Sequence, residues 1–234
     1  MAKQLALQFV LPEKAAIESY VSRANAQAVS ALRASAGGNG EPYLYLWGAA
    51  GTGKSHLLQA ATRLTEEAGR SAVYIPLEQA RELAPAIFDD LEQVDLVCLD
   101  NVEQIAGDGA WEQALFNLFN RLRDNHRSLL ISARCSPLNL PFDLPDLVSR
   151  LSWGLCYQLQ AMSDRDKAQA MIEDADRRGL QLSEDGARYI LRHAPRDMAS
   201  LRRLLAHMDR AALEAKRRLT TPFIREFLQQ QADS

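Results

Sequence analysis

The sequence predicts an α/β protein in which a five-stranded parallel sheet is flanked by helices and followed by a small all-helical domain. Five short apolar runs alternate with helix-length segments between positions 43 and 160, a pattern typical of buried parallel strands joined by crossover helices. A glycine-rich phosphate-binding pattern connects the first run to the first of these helices. After about Met162 the strand-like runs stop and four amphipathic segments follow.

The predicted strands are 43–47, 71–76, 95–100, 128–133 and 155–160. The clearest helices between them are KSHLLQAATRLTEEAG and WEQALFNLFNRLRDN, which have the length and apolar spacing of amphipathic helices. Before the first strand, the pattern from Ile17 to Leu32 predicts a helix, with Asn25 near its middle or its start. The segment GGNGEP at 37–42 then predicts a loop, because glycine and proline interrupt regular structure.

The helical region has clear start and stop signals. Ser163 and Ser183 are predicted N-caps, Gly179 is a predicted helix stop, and Thr221 is a predicted N-cap followed by Pro222. A longer helix between them is predicted from an apolar stripe at helical spacing, formed by Leu201, Leu204, Leu205, Met208 and Ala212. The predicted division of the chain is an N-terminal tail at 1–12, an α/β domain at 13–162 and a helical domain at 163–234.

Composition excludes several classes of protein. None of the apolar runs in the 234 residues approaches the roughly 18 residues of a membrane span. A net charge of −3 argues against a stand-alone DNA-binding protein, which usually has a basic surface. Cys98 and Cys156 lie in apolar runs and are predicted to be buried thiols. Three cysteines without metal-ligand spacing favour a reducing, cytoplasmic setting.

The segment GAAGTGKS at 48–55 matches the P-loop pattern, and it lies between a predicted strand and a predicted helix. In such a loop, backbone N–H groups and the helix N-terminus surround a phosphate. Lys54 is predicted to reach the β- and γ-phosphates, and the Ser55 hydroxyl to bind Mg²⁺. This context disfavours a chance glycine-rich turn. The predicted nucleotide-binding residues are Gly48, Gly51, Thr52, Gly53, Lys54, Ser55 and His56, with Arg196 from the helical domain.

Asp100 ends the third strand, at the edge of the sheet where α/β proteins place ligand groups. It is predicted to orient Mg²⁺ or its waters, and the alternative is a buried structural Asp. The next residue, Asn101, carries an amide that cannot accept a proton from an attacking water. We therefore expect ATP hydrolysis by this chain alone to be weak.

Polar residues follow two later elements. Ser132 and Arg134 end the fourth strand, where Ser132 is predicted to contact the γ-phosphate or the attacking water; an ordinary strand end is the alternative. Arg150, before the last strand, is predicted to be an arginine finger that acts on a neighbour's nucleotide. The alternative is a surface arginine that pairs with Asp143 or Asp146.

These motifs, in this order, resemble AAA+ ATPases of the DnaA family, and within it the DnaA-related regulatory inactivators, the Hda family. The resemblance rests on YLYLWGAAGTGKSHLLQAA, VCLDNVEQIAGDGAWEQALFNLFNRLRD, LPDLVSRLSWGLCYQLQAMSDRDKAQA, TTPFIREFL and the N-terminal QLALQF, and it runs over nearly the whole chain.

The resemblance implies a bound ADP or ATP with Mg²⁺ and two protein partners, DnaA and the β sliding clamp of DNA polymerase III. Gln4, Leu5, Leu7 and Phe9 match a clamp-binding peptide. The clamp would tether the protein near DnaA–ATP, where Arg150 acts in trans to stimulate hydrolysis to inactive DnaA–ADP. The catalytic residues it implies are Arg150, Asp100 and Ser132.

The chain departs from the pattern of the family at two points. The chain ends after Phe227 and Leu228 without the helix-turn-helix domain of DnaA, so we expect no sequence-specific DNA binding. Ala199 stands where the family usually has a lid arginine, for which Arg196 or Arg202 could substitute.

Two alternative functions stay open. They are an autonomous AAA+ ATPase, such as a helicase-loader-like protein, and a small-molecule P-loop kinase. The sequence leaves self-association open.

Overall fold

A computed structural model of the chain describes residues 17, 20 and 22 and the ranges 24–215 and 219–232. The predicted clamp-binding peptide at 4–9 lies outside the described residues. The chain forms two compact units, one consisting mainly of residues 25–160 and the other mainly of residues 161–234. Within the described ranges, no helix has both the length and the apolar character that crossing a bilayer requires.

The first unit is built on a five-stranded parallel sheet, which confirms the predicted fold class. The strands are β1 Tyr43–Trp47, β2 Ala72–Pro76, β3 Leu96–Asp100, β4 Ser128–Ala133 and β5 Leu155–Gln158. Their spatial order is β2-β3-β4-β1-β5, and every pairing is parallel. The strand β3 is buried along its whole length, as its continuous apolar run predicts. The carboxyl ends of β1, β3 and β4 therefore lie at one edge of the sheet.

Helices cover this sheet. The helices of the first unit are α1 Ala26–Ala36, α2 Lys54–Glu67, α3 Gly109–Asp124 and α4 Pro145–Leu151. The N-cap of α3 is Asp108, whose carboxylate accepts hydrogen bonds from the N–H groups of Ala110 and Trp111. Its buried positions recur at helical spacing and enter the core together with Ile75, Leu99 and Ile131.

The helix predicted within 17–32 is α1, which runs from Ala26 to Ala36, so Asn25 lies at its start, one of the two positions predicted for it. The reason for this start lies in the side chain of Asn25, the residue before α1. Its amide donates a hydrogen bond to the Gln160 carbonyl at 3.0 Å and accepts one from the Gln160 N–H at 2.8 Å. This two-way contact with a residue 135 positions away fixes the backbone at the point where the helix begins, and apolar periodicity gives no sign of it.

The prediction that both strand cysteines are buried is half wrong. Cys98 on β3 is fully buried, and burial raises the pKa of its thiol to about 12. Cys156 is exposed, because β5 is the last strand at one edge of the sheet and most of its residues face solvent. An apolar run therefore identified the strand but not its place in the sheet.

The second unit contains only helices within its described residues. They are α5 Asp164–Arg177, α6 Glu184–His193, α7 Met198–Ala215 and α8 Thr221–Ala232. The stripe predicted on α7 enters their shared core, where Leu201, Leu205, Met208 and Ala212 are buried.

Two of the three predicted caps of the second unit are confirmed. The hydroxyls of Ser163 and Ser183 accept hydrogen bonds from the N–H groups three residues later, each at 3.1 Å. The third cap is one residue earlier than predicted. The helix α8 begins at Thr221, and the hydroxyl that accepts the Phe223 N–H belongs to Thr220.

Candidate functional site

The loop at 48–55 connects the carboxyl end of β1 to the start of α2, as the P-loop pattern predicts. Gly51 and Gly53 have φ angles of 78° and 92°, which residues with a side chain rarely adopt. Gly53 is the N-cap of α2, so the first N–H groups of the helix have no partner within it and are available to an anion. The Thr52 hydroxyl donates a hydrogen bond to the Ala49 carbonyl at 2.9 Å and stabilises the turn.

Lys54, the first residue of α2, folds back over this loop. Its ammonium donates hydrogen bonds to the carbonyls of Gly48 at 2.7 Å and Ala49 at 3.0 Å. Burial lowers the pKa of this ammonium, while the negative charges of Glu103 and Asp100 oppose that shift. Among the residues that the structure describes, no carboxylate forms an ion pair with this buried ammonium, and burial of a charge without a counter-ion is costly. A phosphate would supply the missing negative charge, so the loop is suited to phosphate. The next two residues, Ser55 and His56, are half-buried in the first turn of α2.

Asp100, at the carboxyl end of β3, is held between two hydroxyl groups. The Tyr74 hydroxyl on β2 donates to its Oδ2 at 2.6 Å, and the Ser132 hydroxyl on β4 donates to its Oδ1. Burial, followed by the charge of Asp100, raises the pKa of Tyr74 far above its ordinary range, so the phenol remains a donor. Each carboxylate oxygen retains a lone pair, which leaves Asp100 able to accept a hydrogen bond from a metal-bound water.

Ser132 forms a hydrogen bond with Asp100, a contact that was not predicted from the sequence. The hydroxyl is fully buried, donates its single hydrogen to Asp100, and accepts a hydrogen bond from the Asn101 N–H at 3.0 Å. A hydroxyl has one hydrogen to donate, so in this arrangement none is left for a γ-phosphate. The geometry favours Ser132 as a residue that positions Asp100, and direct contact with nucleotide stays a prediction.

Asn101 has left-handed backbone geometry, with φ 60° and ψ 54°, which asparagine tolerates better than most residues. Its side-chain amide donates a hydrogen bond to Glu78 at 3.1 Å. Glu78 follows β2, whose carboxyl end lies beside that of β3. Glu78 was not predicted from the sequence. Its signal is an acid two residues after the β2 run, and that signal gains meaning only once the strand order places β2 beside β3.

Glu103 is a second acid that the sequence analysis did not single out. Its side chain is 14% exposed, and it forms an ion pair with Arg134 at 3.3 Å. Neither of its carboxylate oxygens has a hydrogen-bond partner among the described residues. Its charge is the largest electrostatic influence on Lys54. Arg134, which was predicted as a polar residue at the end of the fourth strand, is therefore paired with an acid in the segment that follows β3.

Arg150 lies at the other end of β1 from the P-loop. It is half-buried in α4, and its guanidinium lies 5.6 Å from the centre of the Trp153 ring. That ring stacks at 6.5 Å on Tyr43, the first residue of β1, whereas the P-loop follows the last residue of the same strand. Four residue steps of a strand span about 13 Å. Among the described residues Arg150 forms no ion pair with Asp143 or Asp146. The structure does not show the alternative pairing, and the role of Arg150 as a finger stays a prediction.

The structure also describes the residues of the second unit that the sequence links to nucleotide binding. Arg196 and Asp164 form an exposed ion pair at 3.6 Å. Ala199 is the second residue of α7. Burial lowers the pKa of Arg202, and the charge of Asp174 opposes that shift. The nucleotide-binding roles of Arg196 and Arg202 stay predictions.

Two family models match the chain. The model described as the bacterial DnaA ATPase domain matches residues 11–158, which is more than half of the sequence. The chain belongs to the bacterial DnaA ATPase family. A second model, described as the Hda lid domain, matches residues 164–228. The protein is therefore a DnaA-related AAA+ protein, and both parts of this family assignment agree with the resemblance drawn from the sequence.

Several solved structures share the fold of this chain. Domain III of DnaA from Thermotoga maritima matches with a TM-score of 0.78 at 21% identity, covering 94% of this chain and 98% of that one. AMPPCP-bound DnaA from Aquifex aeolicus matches with 0.70 at 21% identity, over 85% and 66%. The RuvB branch-migration motor from Thermotoga maritima matches with 0.68 at 14% identity, over 95% and 73%. At these identities the likeness establishes the AAA+ fold.

Proposed function

We propose that this protein is a regulator of replication initiation that stimulates hydrolysis of ATP bound to DnaA. Its own P-loop holds an adenine nucleotide, and the β sliding clamp tethers it through residues 4–9. The joint match to a DnaA ATPase domain and an Hda lid domain supports this assignment. The product is DnaA–ADP, which does not initiate a further round of replication.

The position of Arg150 carries the proposal. It lies at the amino end of β1, beside Trp153 and Tyr43, while the P-loop of the same chain lies at the carboxyl end. Arg150 therefore suits a nucleotide held by a neighbouring molecule better than its own. An arginine placed against the transferring phosphoryl group stabilises the negative charge of the transition state, and in other phosphoryl-transfer systems it accelerates hydrolysis by about 10³ to 10⁵.

Asn101 supports a role as activator rather than as an independent enzyme. Its amide is bonded to Glu78 and has no basic site to accept a proton from water. We infer weak intrinsic hydrolysis, with the bound nucleotide setting the shape of the protein.

The residues around the P-loop fit an adenine nucleotide with Mg²⁺, and the DnaA relative from Aquifex aeolicus is bound to the ATP analogue AMPPCP. Lys54 would bind phosphate in place of its carbonyl contacts with Gly48 and Ala49. Ser55 and Asp100 would hold Mg²⁺, which commonly takes one or two protein ligands and otherwise phosphates and waters. The metal would neutralise phosphate charge.

The clamp-binding segment is proposed from sequence. Gln4 would donate and accept hydrogen bonds in a pocket of the clamp, while Leu5, Leu7 and Phe9 fill an apolar cleft. A short extended peptide that combines a polar anchor with apolar side chains is a common mode of protein recognition. Tethering raises the concentration of Arg150 near DnaA without adding any contact to DnaA itself.

The test is the rate at which DnaA-bound ATP becomes ADP, with DNA-loaded β clamp and this protein present. We expect wild type to accelerate the conversion and Arg150→Ala to lower the maximal rate by at least about 10³. Arg63→Ala, which changes an exposed arginine on α2 that pairs with Glu67, is the matched control and should retain wild-type activity.

Two outcomes contradict the proposal. If Arg150→Ala is as active as wild type, Arg150 is not the finger. If wild type leaves DnaA–ATP unchanged but hydrolyses free ATP rapidly, the protein is an autonomous AAA+ ATPase. Glu78 is the observation that favours this second candidate, because it places a carboxylate beside the amide of Asn101.

A further inference from the structure

The helix that carries Arg150 starts without a cap of its own. It has only seven residues, Pro145–Leu151, and its N-cap residue is Leu144, which makes no side-chain hydrogen bond. A leucine has no oxygen to accept the free N–H groups at a helix start, and such groups need a partner when they are removed from water. The side chain of Leu144 therefore does not fix the start of α4, and the contacts that hold this point of the chain come from elsewhere in the protein.

Glu112 of α3 supplies such contacts, because it accepts hydrogen bonds from the backbone N–H groups of the two residues just before α4. Its Oε2 accepts the Leu144 N–H at 2.8 Å, and its Oε1 accepts the Asp143 N–H at 3.2 Å. The same Oε1 accepts the Gly107 N–H at 2.7 Å. One carboxylate thus joins three backbone donors in two separate loops, one after the 3₁₀ turn Val102–Ile105 and one before α4.

The burial of this carboxylate makes the arrangement unusual. Glu112 is 1% exposed, and among the described residues no lysine or arginine forms an ion pair with it. A buried carboxylate without a cation is costly unless hydrogen bonds satisfy it. Here backbone N–H groups do so, and charged acceptors make stronger bonds to them than neutral ones.

We propose that Glu112 is a positioning residue for the arginine finger, an inference that rests on the proposed function. By fixing the N–H groups of Asp143 and Leu144, Glu112 sets where α4 begins. Leu147 and Leu151 are buried and fix how the helix lies against the core. Arg150 is then placed at a defined position beside Trp153. Glu112 touches no substrate, and it acts only through α4.

The hydrogen bond with Gly107 also connects Glu112 to the segment that follows β3, the strand that ends at Asp100. Gly107 lies just beyond the 3₁₀ turn 102–105, whose N-cap is Asn101. Glu112 therefore connects the segment that follows Asp100 and Asn101 with the segment that precedes Arg150. The segment that carries the proposed finger and the loop after β3 are therefore held by one side chain in the first turn of α3.

The test substitutes Glu112→Gln, which keeps the size of the side chain but replaces one acceptor oxygen by a donor group that opposes the backbone N–H groups. In the clamp-dependent assay with DnaA–ATP, we expect the maximal rate to fall by about tenfold or more, since small displacements of a catalytic group cost rates of that order. The half-saturating protein concentration and the affinity of this chain for its own nucleotide should change little.

A double-mutant cycle separates positioning from general damage. If Glu112 acts through Arg150, Glu112→Gln has no further effect on the rate in an Arg150→Ala background, whereas unrelated damage lowers both rates equally. Glu112→Asp keeps the charge and should recover part of the loss. The matched control is Glu66→Gln on the exposed part of α2, which should behave as wild type.

Three results overturn the inference: a wild-type maximal rate for Glu112→Gln, a loss seen only in the half-saturating concentration, or additive losses in the cycle. If Glu112→Gln is unfolded at the assay temperature, Glu112→Asp is judged by the same three criteria. Failure of the proposed function is distinct, because wild type would then leave DnaA–ATP unchanged or Arg150→Ala would be as active as wild type. In either case the inference about Glu112 would fall with the proposed function.

Discussion

At the carboxyl edge of the sheet, hydrogen bonds from neighbouring side chains orient the candidate site residues. Asp100 is oriented by the hydroxyls of Tyr74 and Ser132, and Asn101 is oriented by Glu78. Asp100 was predictable, because an acid that ends an apolar strand after a P-loop strand has a clear sequence signature. Tyr74 and Glu78 were not predicted, because each acts through a partner more than 20 positions away that only strand order brings close.

The bond between Tyr74 and Asp100 gives a prediction at this scale. Tyr74→Phe keeps the ring and removes the hydroxyl, so a buried carboxylate loses one of its two donors. We expect the free energy of unfolding to fall by about 1.5–3 kcal/mol, the usual contribution of a hydrogen bond to a charged group, as measured by urea denaturation.

The control for Tyr74 is Tyr157→Phe. Tyr157 lies half-buried on β5, and its hydroxyl has no hydrogen-bond partner among the described residues. We expect a change within about 0.5 kcal/mol. Equal losses for the two variants would show that the hydroxyl of Tyr74 contributes nothing specific to the stability of this site.

At the scale of elements, the five strands were predictable to within a residue or two, because continuous apolar runs between turn signals leave few other arrangements. Features that depend on neighbouring elements were not. The exposure of Cys156 follows from the edge position of β5, and the start of α1 follows from the contact of Asn25 with Gln160. The anchoring of α4 by Glu112 is of the same kind, because a single glutamate in an amphipathic helix pattern is ordinarily a solvated residue.

The turn between α4 and β5 gives a prediction for these elements. A Cβ at Gly154 would lie 2.3 Å from the Tyr43 carbonyl oxygen, and that close approach lets β5 pair with β1 directly after α4. Gly154→Ala forces backbone apart, so we expect a loss of about 1–3 kcal/mol in the free energy of unfolding. Urea denaturation measures it.

Gly109→Ala is the matched control for Gly154. Gly109 is the first residue of α3, and nothing lies within 4 Å of a Cβ added there. Alanine favours the helix and restricts the unfolded chain, so we expect a gain of up to about 1 kcal/mol. A Gly154→Ala protein as stable as wild type would mean that the α4–β5 turn accommodates a side chain by moving.

For the molecule as a whole, the proposed function divides the work between two parts of the chain. In that function, residues 4–9 would bring the protein to the clamp, and Arg150 would act on the nucleotide of DnaA. A tether changes the local concentration of a reactant, whereas a finger changes the height of the barrier. These two contributions affect different parameters of a titration curve, so the division can be tested directly.

The prediction is that Gln4→Ala and Arg150→Ala fail in different ways when each protein is titrated against DnaA–ATP and DNA-loaded clamp. Gln4→Ala should need a concentration higher by about 10²-fold or more to reach half of the maximal rate, because effective concentration is lost, and its maximal rate should equal that of wild type. Gln8→Ala, in the same segment but outside the predicted anchor residues, is the control.

Without clamp, the Gln4→Ala and wild-type titration curves should coincide, because the tether then has nothing to bind. A lower maximal rate for Gln4→Ala in the absence of clamp would mean that the tail takes part in hydrolysis itself, and the division between tether and finger would be wrong.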